Sequence, residues 1–155
     1  MDDFKRELTV AASADAAYAA ITTIGGLRAW WTDDCEGEAG AGGAFTVRFG
    51  EVEKTMRVAV AEPGREVRWE CTHAYLALPA PARTDEWVGT TAVWTLAPLD
   101  AGRVRIELAH LGLRPALACY DLCVQGWDDF LGSLRALLEI GAGAPFRRLP
   151  EENLL

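Results

Sequence analysis

Two apolar periods divide this sequence, and their order limits what it can fold into. From Ala44 to Leu108 apolar residues return at every second position, as in Ala44-Phe45-Thr46-Val47-Arg48-Phe49 and Val67-Arg68-Trp69-Glu70-Cys71-Thr72-His73. A period of two belongs to antiparallel strands with one buried face. From Pro115 to Ile140 the period lengthens to about 3.6 residues. At ~100° per residue, Cys119, Cys123, Gly126, Trp127, Phe130, Leu134, Leu137 and Leu138 then share one arc. Asp121, Gln125, Asp128, Arg135 and Glu139 lie opposite. A half-apolar sheet followed by a long amphipathic helix buries both apolar faces if the helix covers the sheet.

The shorter elements agree with that plan. Leu8-Thr9-Val10 reads as a first strand, and Ser13 as the cap of a helix over Ala14 to Ile21. A second short helix is predicted over Leu27 to Trp31, after the Gly25-Gly26 break. Met56-Arg57-Val58, Thr90 to Leu96 and Val104 to Leu108 continue the meander, with turns at Pro63-Gly64 and Asp100-Ala101-Gly102. That makes about six or seven strands with the first. Pro115 suits the first turn of the long helix and Gly141 its stop. The fold class is α+β in a single domain over 1–155, with a core of about 4–141 and a tail over 142–155.

Charge narrows the partners. Fifteen basic against 23 acidic residues leave a net charge of −8, which opposes binding to nucleic acid and to anionic membrane surfaces. No stretch approaches the ~20 apolar residues of a membrane helix. Met1-Asp2-Asp3-Phe4-Lys5-Arg6 lacks a secretory apolar region. The expected location is cytoplasmic, with Cys35, Cys71, Cys119 and Cys123 as free thiols. A neutral or cationic small molecule, or a protein, remains as partner.

The order of strand, two short helices, meander and terminal helix resembles the helix-grip fold of the START-like, SRPBCC superfamily. That superfamily includes the birch pollen allergen family and polyketide cyclases. The entry segment Ala12-Ser13-Ala14-Asp15-Ala16-Ala17-Tyr18-Ala19-Ala20-Ile21-Thr22 with Leu27-Arg28-Ala29-Trp30-Trp31 carries the likeness. So does the closing segment, Ala109-His110-Leu111-Gly112-Leu113 and Gly126-Trp127-Asp128-Asp129-Phe130-Leu131. Together they resemble the bacterial branch related to the activator domain of a heat-shock chaperone's ATPase. The likeness spans Phe4 to Gly141. Two departures stand out: the tail Phe146 to Leu155, and a long Pro-rich loop from Tyr75 to Trp87. The resemblance implies a hydrophobic cavity under the last helix, in a monomer or homodimer. It also leaves open a small cavity enzyme of cyclase or hydrolase type, and a chaperone-interacting module.

Strand parity sends Phe45, Phe49, Met56, Trp69, Cys71, His73, Trp94 and His110 toward the helix, which contributes Cys119, Cys123, Trp127 and Phe130. With Trp30 and Trp31 these are the candidate ligand-binding residues. The same set would equally serve as a packed aromatic core. His73, His110 and Tyr120 are the acid/base candidates; a structural hydrogen bond is the alternative for each histidine. The thiols read as core filler, with Cys35 expected to react first. No Ser-His-Asp order, phosphate-cradling glycine loop or HExxH occurs, so no cofactor and no metal is implied. With polar tips at His73, His110 and Tyr120 alone, the expected ligand is flat, mostly apolar and uncharged.

Overall fold

The computed structural model describes residues 3–147. Strand β1 (Phe4–Val10) leads into helices α1 (Ala14–Thr22) and α2 (Ile24–Trp30). Six strands follow: β2 (Cys35–Gly37), β3 (Ala44–Phe49), β4 (Val52–Glu62), β5 (Glu66–Tyr75), β6 (Thr91–Asp100) and β7 (Arg103–Leu111). Helix α3 (Tyr120–Ile140) closes the order. The seven strands form one antiparallel sheet in the order β1-β7-β6-β5-β4-β3-β2. Only β1 and β2 are edges, and the chain reaches β7's free side by returning to its own first strand. No helix among the described residues is long and apolar enough to cross a membrane.

Local chemistry accounts for the helix ends. Ser13 Oγ accepts from Ala16 N at 3.1 Å and starts α1 as expected. Helix α2 begins earlier than predicted, because Thr23 Oγ1 accepts from Gly26 N at 2.9 Å and caps it. The glycine pair therefore lies inside the helix. A Cβ on Gly26 would sit 2.7 Å from backbone atoms of Ala19 and Ala20, so close packing of α1 on α2 needs the glycine there. Pro115 lies before α3 rather than in its first turn. Gly141 ends α3 with φ 81°, the left-handed conformation that favours glycine.

The inner face of the sheet carries the predicted parity except at one place. Thr55 pairs with His73 while Met56 pairs with Cys71, so Thr72 is an extra residue in β5. This bulge inverts the alternation beyond it. Cys71, Ala74 and Leu76 face the core, and His73 faces out. The inward orientation expected for His73 is thus corrected. Its side chain is 57% exposed, with Nε2 3.1 Å from Glu53 Oε2. Arg48 joins the same outer network through Glu53 and Glu36.

All six tryptophans are buried, and their rings form one connected cluster. Trp31 stacks on Trp30, Trp69 and Trp127 at 5.4–5.5 Å between centroids. Trp94 meets Trp30, Trp69 and Trp127 edge to face, and Trp87 stacks on Trp127 at 6.0 Å. Trp30 Nε1 donates to Ala20 O. The indole nitrogens of Trp69 and Trp94 have no protein acceptor; both rings stand edge-on to aromatic neighbours, where an N–H can face a π cloud.

The chain after α3 returns to the domain. Ala144 N donates to Ser133 Oγ, and Phe146 forms an isolated bridge with Thr32. Residues 142–147 are therefore packed against the core that the sequence reading ended near 141. The rest of the predicted tail, 148–155, lies outside the described residues.

Candidate functional site

The N-terminal half of α3 does not press fully onto the sheet. Beneath it lies a cavity of about 250 Å³ lined by Trp31, Phe49, Val52, Lys54, Leu76, Trp87, Leu122, Cys123, Gly126, Trp127, Phe130 and Phe146. Its walls come from the residue that ends α2, from β3, β4 and α3, from the β5–β6 loop and from the returning tail. Leu122 is 58% exposed and stands at the rim; Trp31, Trp87 and Trp127 are buried.

The Pro-rich loop is held so that it presents Trp87. Cys119 begins α3 without a side-chain cap. The neighbouring Glu86 supplies the acceptor instead, its carboxylate receiving Cys119 N at 3.1 Å and Ala118 N at 3.3 Å. A carboxylate at a helix N-terminus satisfies free N–H groups and opposes the positive end of the helix dipole. With Glu86 fixed there, Trp87 Nε1 donates to Cys123 Sγ at 3.1 Å. Gly89 N then donates to Cys71 O, and Thr90 O accepts from Cys71 N.

His110 is consumed by structure. It is fully buried. Trp127 Nε1 donates to its Nδ1 at 3.0 Å, which leaves the proton on Nε2. Nε2–H donates to Thr90 Oγ1 at 2.8 Å, and Thr90 donates in turn to Trp87 O at 2.6 Å. Every group in this chain has its partner, and the ring is neutral. Burial first, and the positive charge of Lys54 next, push its pKa down to about 3.

Lys54 is the polar residue that the expected set lacked. It follows the inward parity of Val52, Met56 and Val58 in β4 and is 9% exposed. Its Nζ lies 3.7 Å from the ring centroid of Trp87 and 5.2 Å from that of Phe49. These cation–π contacts favour the ammonium, while burial pulls its pKa below the ordinary lysine value. The expectation that His73, His110 and Tyr120 supply the polar groups of the site is corrected at this residue, because Lys54 lines the space and they do not.

Among the expected ligand-binding residues, Trp31, Phe49, Cys123, Trp127 and Phe130 line the cavity. Trp30, Phe45, Met56, Trp69, Cys71, Trp94, His110 and Cys119 are buried behind it as packing. His73 is on the outer face, and Tyr120 is half-buried at the start of α3, off the cavity wall. None of the three acid/base candidates lines the space. Sequence reading missed Lys54, Val52, Trp87, Leu76, Leu122 and Phe146. Parity with Met56 was signal enough for Val52 and Lys54. Leu76 was hidden by the Thr72 bulge, and Trp87 and Phe146 lie where no periodicity operates.

The four thiols are free and buried. Burial pushes Cys35 and Cys71 up to about 11. Cys123 differs. The hydrogen bond from Cys119, the charge of Lys54 and the Trp87 N–H lower it to about 7, against the opposing effect of burial. Cys35, expected to react first, is buried like the other three, and it lies away from the cavity that Cys123 lines.

Comparison with known proteins places this architecture. The family model described as activator of Hsp90 ATPase homolog 1-like protein matches residues 11–139. The chain belongs to that family. The activator-like domain of this family shares its fold with several solved structures. The Aha1 dimer from Colwellia psychrerythraea is 28% identical, with a TM-score of 0.76 over 92% of this chain and 100% of that one. Protein MLL2253 from Mesorhizobium loti is 20% identical, with a TM-score of 0.67 over 88% and 96% of the two chains. DynU16, a protein of the dynemicin biosynthetic locus, is 20% identical, with a TM-score of 0.69 over 96% of this chain and 52% of its own. The activator-like chain is thus an α+β helix-grip domain of the START-like, SRPBCC superfamily. None of the curated proteins matches it.

Proposed function

We propose that this activator-like domain binds a small, flat, largely apolar molecule in the space beneath the N-terminal half of α3. The observation that carries the reading is the cavity itself: about 250 Å³ left open beside three tryptophan rings that otherwise pack tightly. Its size limits the occupant. Drug-sized pockets run from roughly 300 to 1,000 Å³, and an apolar cavity of about 150 Å³ holds benzene. A molecule of one or two fused rings fits between those limits. The sterol- or polyketide-sized ligands that other helix-grip proteins accommodate would project through the rim at Leu122. Four free thiols suit a reducing cytoplasmic setting. The Colwellia relative is a dimer, and a homodimer of this chain would keep the same cavity in each copy.

Titration with one- and two-ring aromatic compounds tests the reading, followed by tryptophan fluorescence. Saturable quenching in the micromolar range is expected, since Trp31, Trp87 and Trp127 form the wall. Gly126→Leu supplies the control. A Cβ at Gly126 meets no atom within 4 Å, so the leucine enters the cavity without straining the fold and should weaken binding at least tenfold. Absence of quenching across the panel, or quenching unaltered by Gly126→Leu, would remove the cavity as the binding site.

A further inference from the structure

Lys54 is anomalous in an acidic protein. The chain has 23 carboxylates, and arginines 6, 48, 57, 68, 83, 103, 105 and 114 each pair with one. Among the described residues, Lys54 enters none of the ion pairs and none of the hydrogen bonds; its contacts are the faces of Trp87 and Phe49. The titratable groups packed around it are the thiols of Cys71, Cys119 and Cys123, and His110, on which its charge acts. No permanent anion is among them.

An ammonium drawn out of water without a counter-ion loses hydration. Cation–π contacts offset only part of that loss, which leaves the charge under-compensated. An anion arriving in the cavity would find this cation held at the wall by Trp87 and Phe49, with no carboxylate competing for it, so little has to be rearranged before it binds. One cation balances one negative charge; a phosphate dianion would need a second, and the cavity wall has none. The ring faces carry negative potential and repel an anion laid over them, which leaves the region of Lys54 Nζ as its place.

We propose that the cavity selects flat ring compounds bearing a single carboxylate, with the carboxylate against Lys54 Nζ and the ring among Trp31, Trp127 and Phe130. This rests on the reading of the cavity as a ligand site and names the ligand class. Recognition should weaken as pH rises. A carboxylate ligand stays ionised above about pH 5, whereas Cys123, whose pKa is lowered first by the Cys119 hydrogen bond against burial and the nearby Glu86, competes for Lys54 once it is a thiolate. Loss of the Lys54 proton acts in the same direction.

The experiment compares naphthalene-2-carboxylate with naphthalene-2-carboxamide, using the full chain and its Lys54→Met variant, by calorimetry at pH 6 and pH 8.5. The native protein should bind the acid at least tenfold tighter than the amide at pH 6, with a smaller ratio at pH 8.5. Lys54→Met, which keeps the length and apolar bulk of the side chain, should lose the preference for the acid, read as the ratio of acid to amide affinity in the same variant. Equal binding of acid and amide by the native protein overturns this inference alone, whatever the variant does. Retained preference in a variant that still binds the amide overturns it too. Binding of neither compound overturns the cavity reading along with it.

Discussion

The two halves of α3 cover the sheet differently. Under the C-terminal half, Leu131, Ser133 and Leu134 are buried, and Ser133 Oγ donates to Trp30 O while accepting Ala144 N. Under the N-terminal half, Cys123, Gly126, Trp127 and Phe130 border an open space. Both halves present an apolar inner face, so hydrophobicity alone does not separate them. The polar groups do. Ser133 has its partners, and His110, at the boundary, has one on each ring nitrogen; Lys54, across the space, has only ring faces. A satisfied buried polar group marks packing, and an unsatisfied one beside a void marks a place for something else.

The largest effect should come from removing the cavity-wall residue that is also tied into the tryptophan cluster. Trp127→Ala removes an indole that joins three other tryptophans and donates to His110, and should cost about 3–5 kcal/mol in urea unfolding. Phe130→Ala, three residues further along the same face but partly exposed against the cavity, should cost roughly 1 kcal/mol. Equal losses would mean that the two sites are packed alike, and the contrast would dissolve.

A smaller effect is expected from pH. In the unfolded chain His110 titrates near ~6.5; in the folded one burial holds it down to about 3. As pH falls between those values the unfolded state takes up the proton first. The stability associated with a neutral His110 is therefore complete above about pH 6.5 and lost progressively toward pH 3, at up to about 1.4 kcal/mol per pH unit. Unfolding midpoints measured from pH 7 to pH 4 should fall less steeply for His110→Gln than for the native chain. Parallel slopes would show that the imidazole does not hold the neutral, doubly bonded position described for it.

The gentlest probe leaves the fold intact. Cys123 should be the first thiol labelled by a mild alkylating reagent near pH 7.5, located by peptide mass spectrometry, with Cys35 and Cys71 far behind because burial raises both to about 11. A cavity ligand should slow the labelling of Cys123. Labelling of Cys35 first would show that the N-terminal half of α3 is closed over its thiol.

Periodicity carried most of the fold in the sequence. The period of two along β3 to β7 and the 3.6 period of α3 are both consequences of one-sided burial, and the structure follows them. Strand β2 was not anticipated, since three residues hold no alternation to read. Nor was the Thr72 bulge: an extra residue that leaves composition unchanged moves His73 from the inner face to the outer one. The site was less legible for a related reason. Its packed side is built from regular elements, whereas Trp87 is delivered by a loop through Glu86 on the end of α3, and Phe146 by the returning tail. Lys54 was visible by parity, but a lysine among outward charges at Glu53 and Arg57 reads as surface until its neighbours are known.

Phe146 gives the cavity a wall of a different mechanical kind. It is held by main-chain bonds, Phe146 N to Trp31 O and Asp33 N to Phe146 O, each 2.9 Å, and its ring leans edge-on to Phe49. A short segment held mainly by its backbone bonds can open locally while the sheet and α3 stay whole. Entry and exit of the proposed ligand would then follow the opening rate of this segment, and residence time would be separable from affinity. Loosening the segment speeds capture and release together, with a smaller change in occupancy at equilibrium. A slow-release carrier built on this scaffold would reinforce the Thr32–Phe146 bridge, and a fast-responding sensor would weaken it.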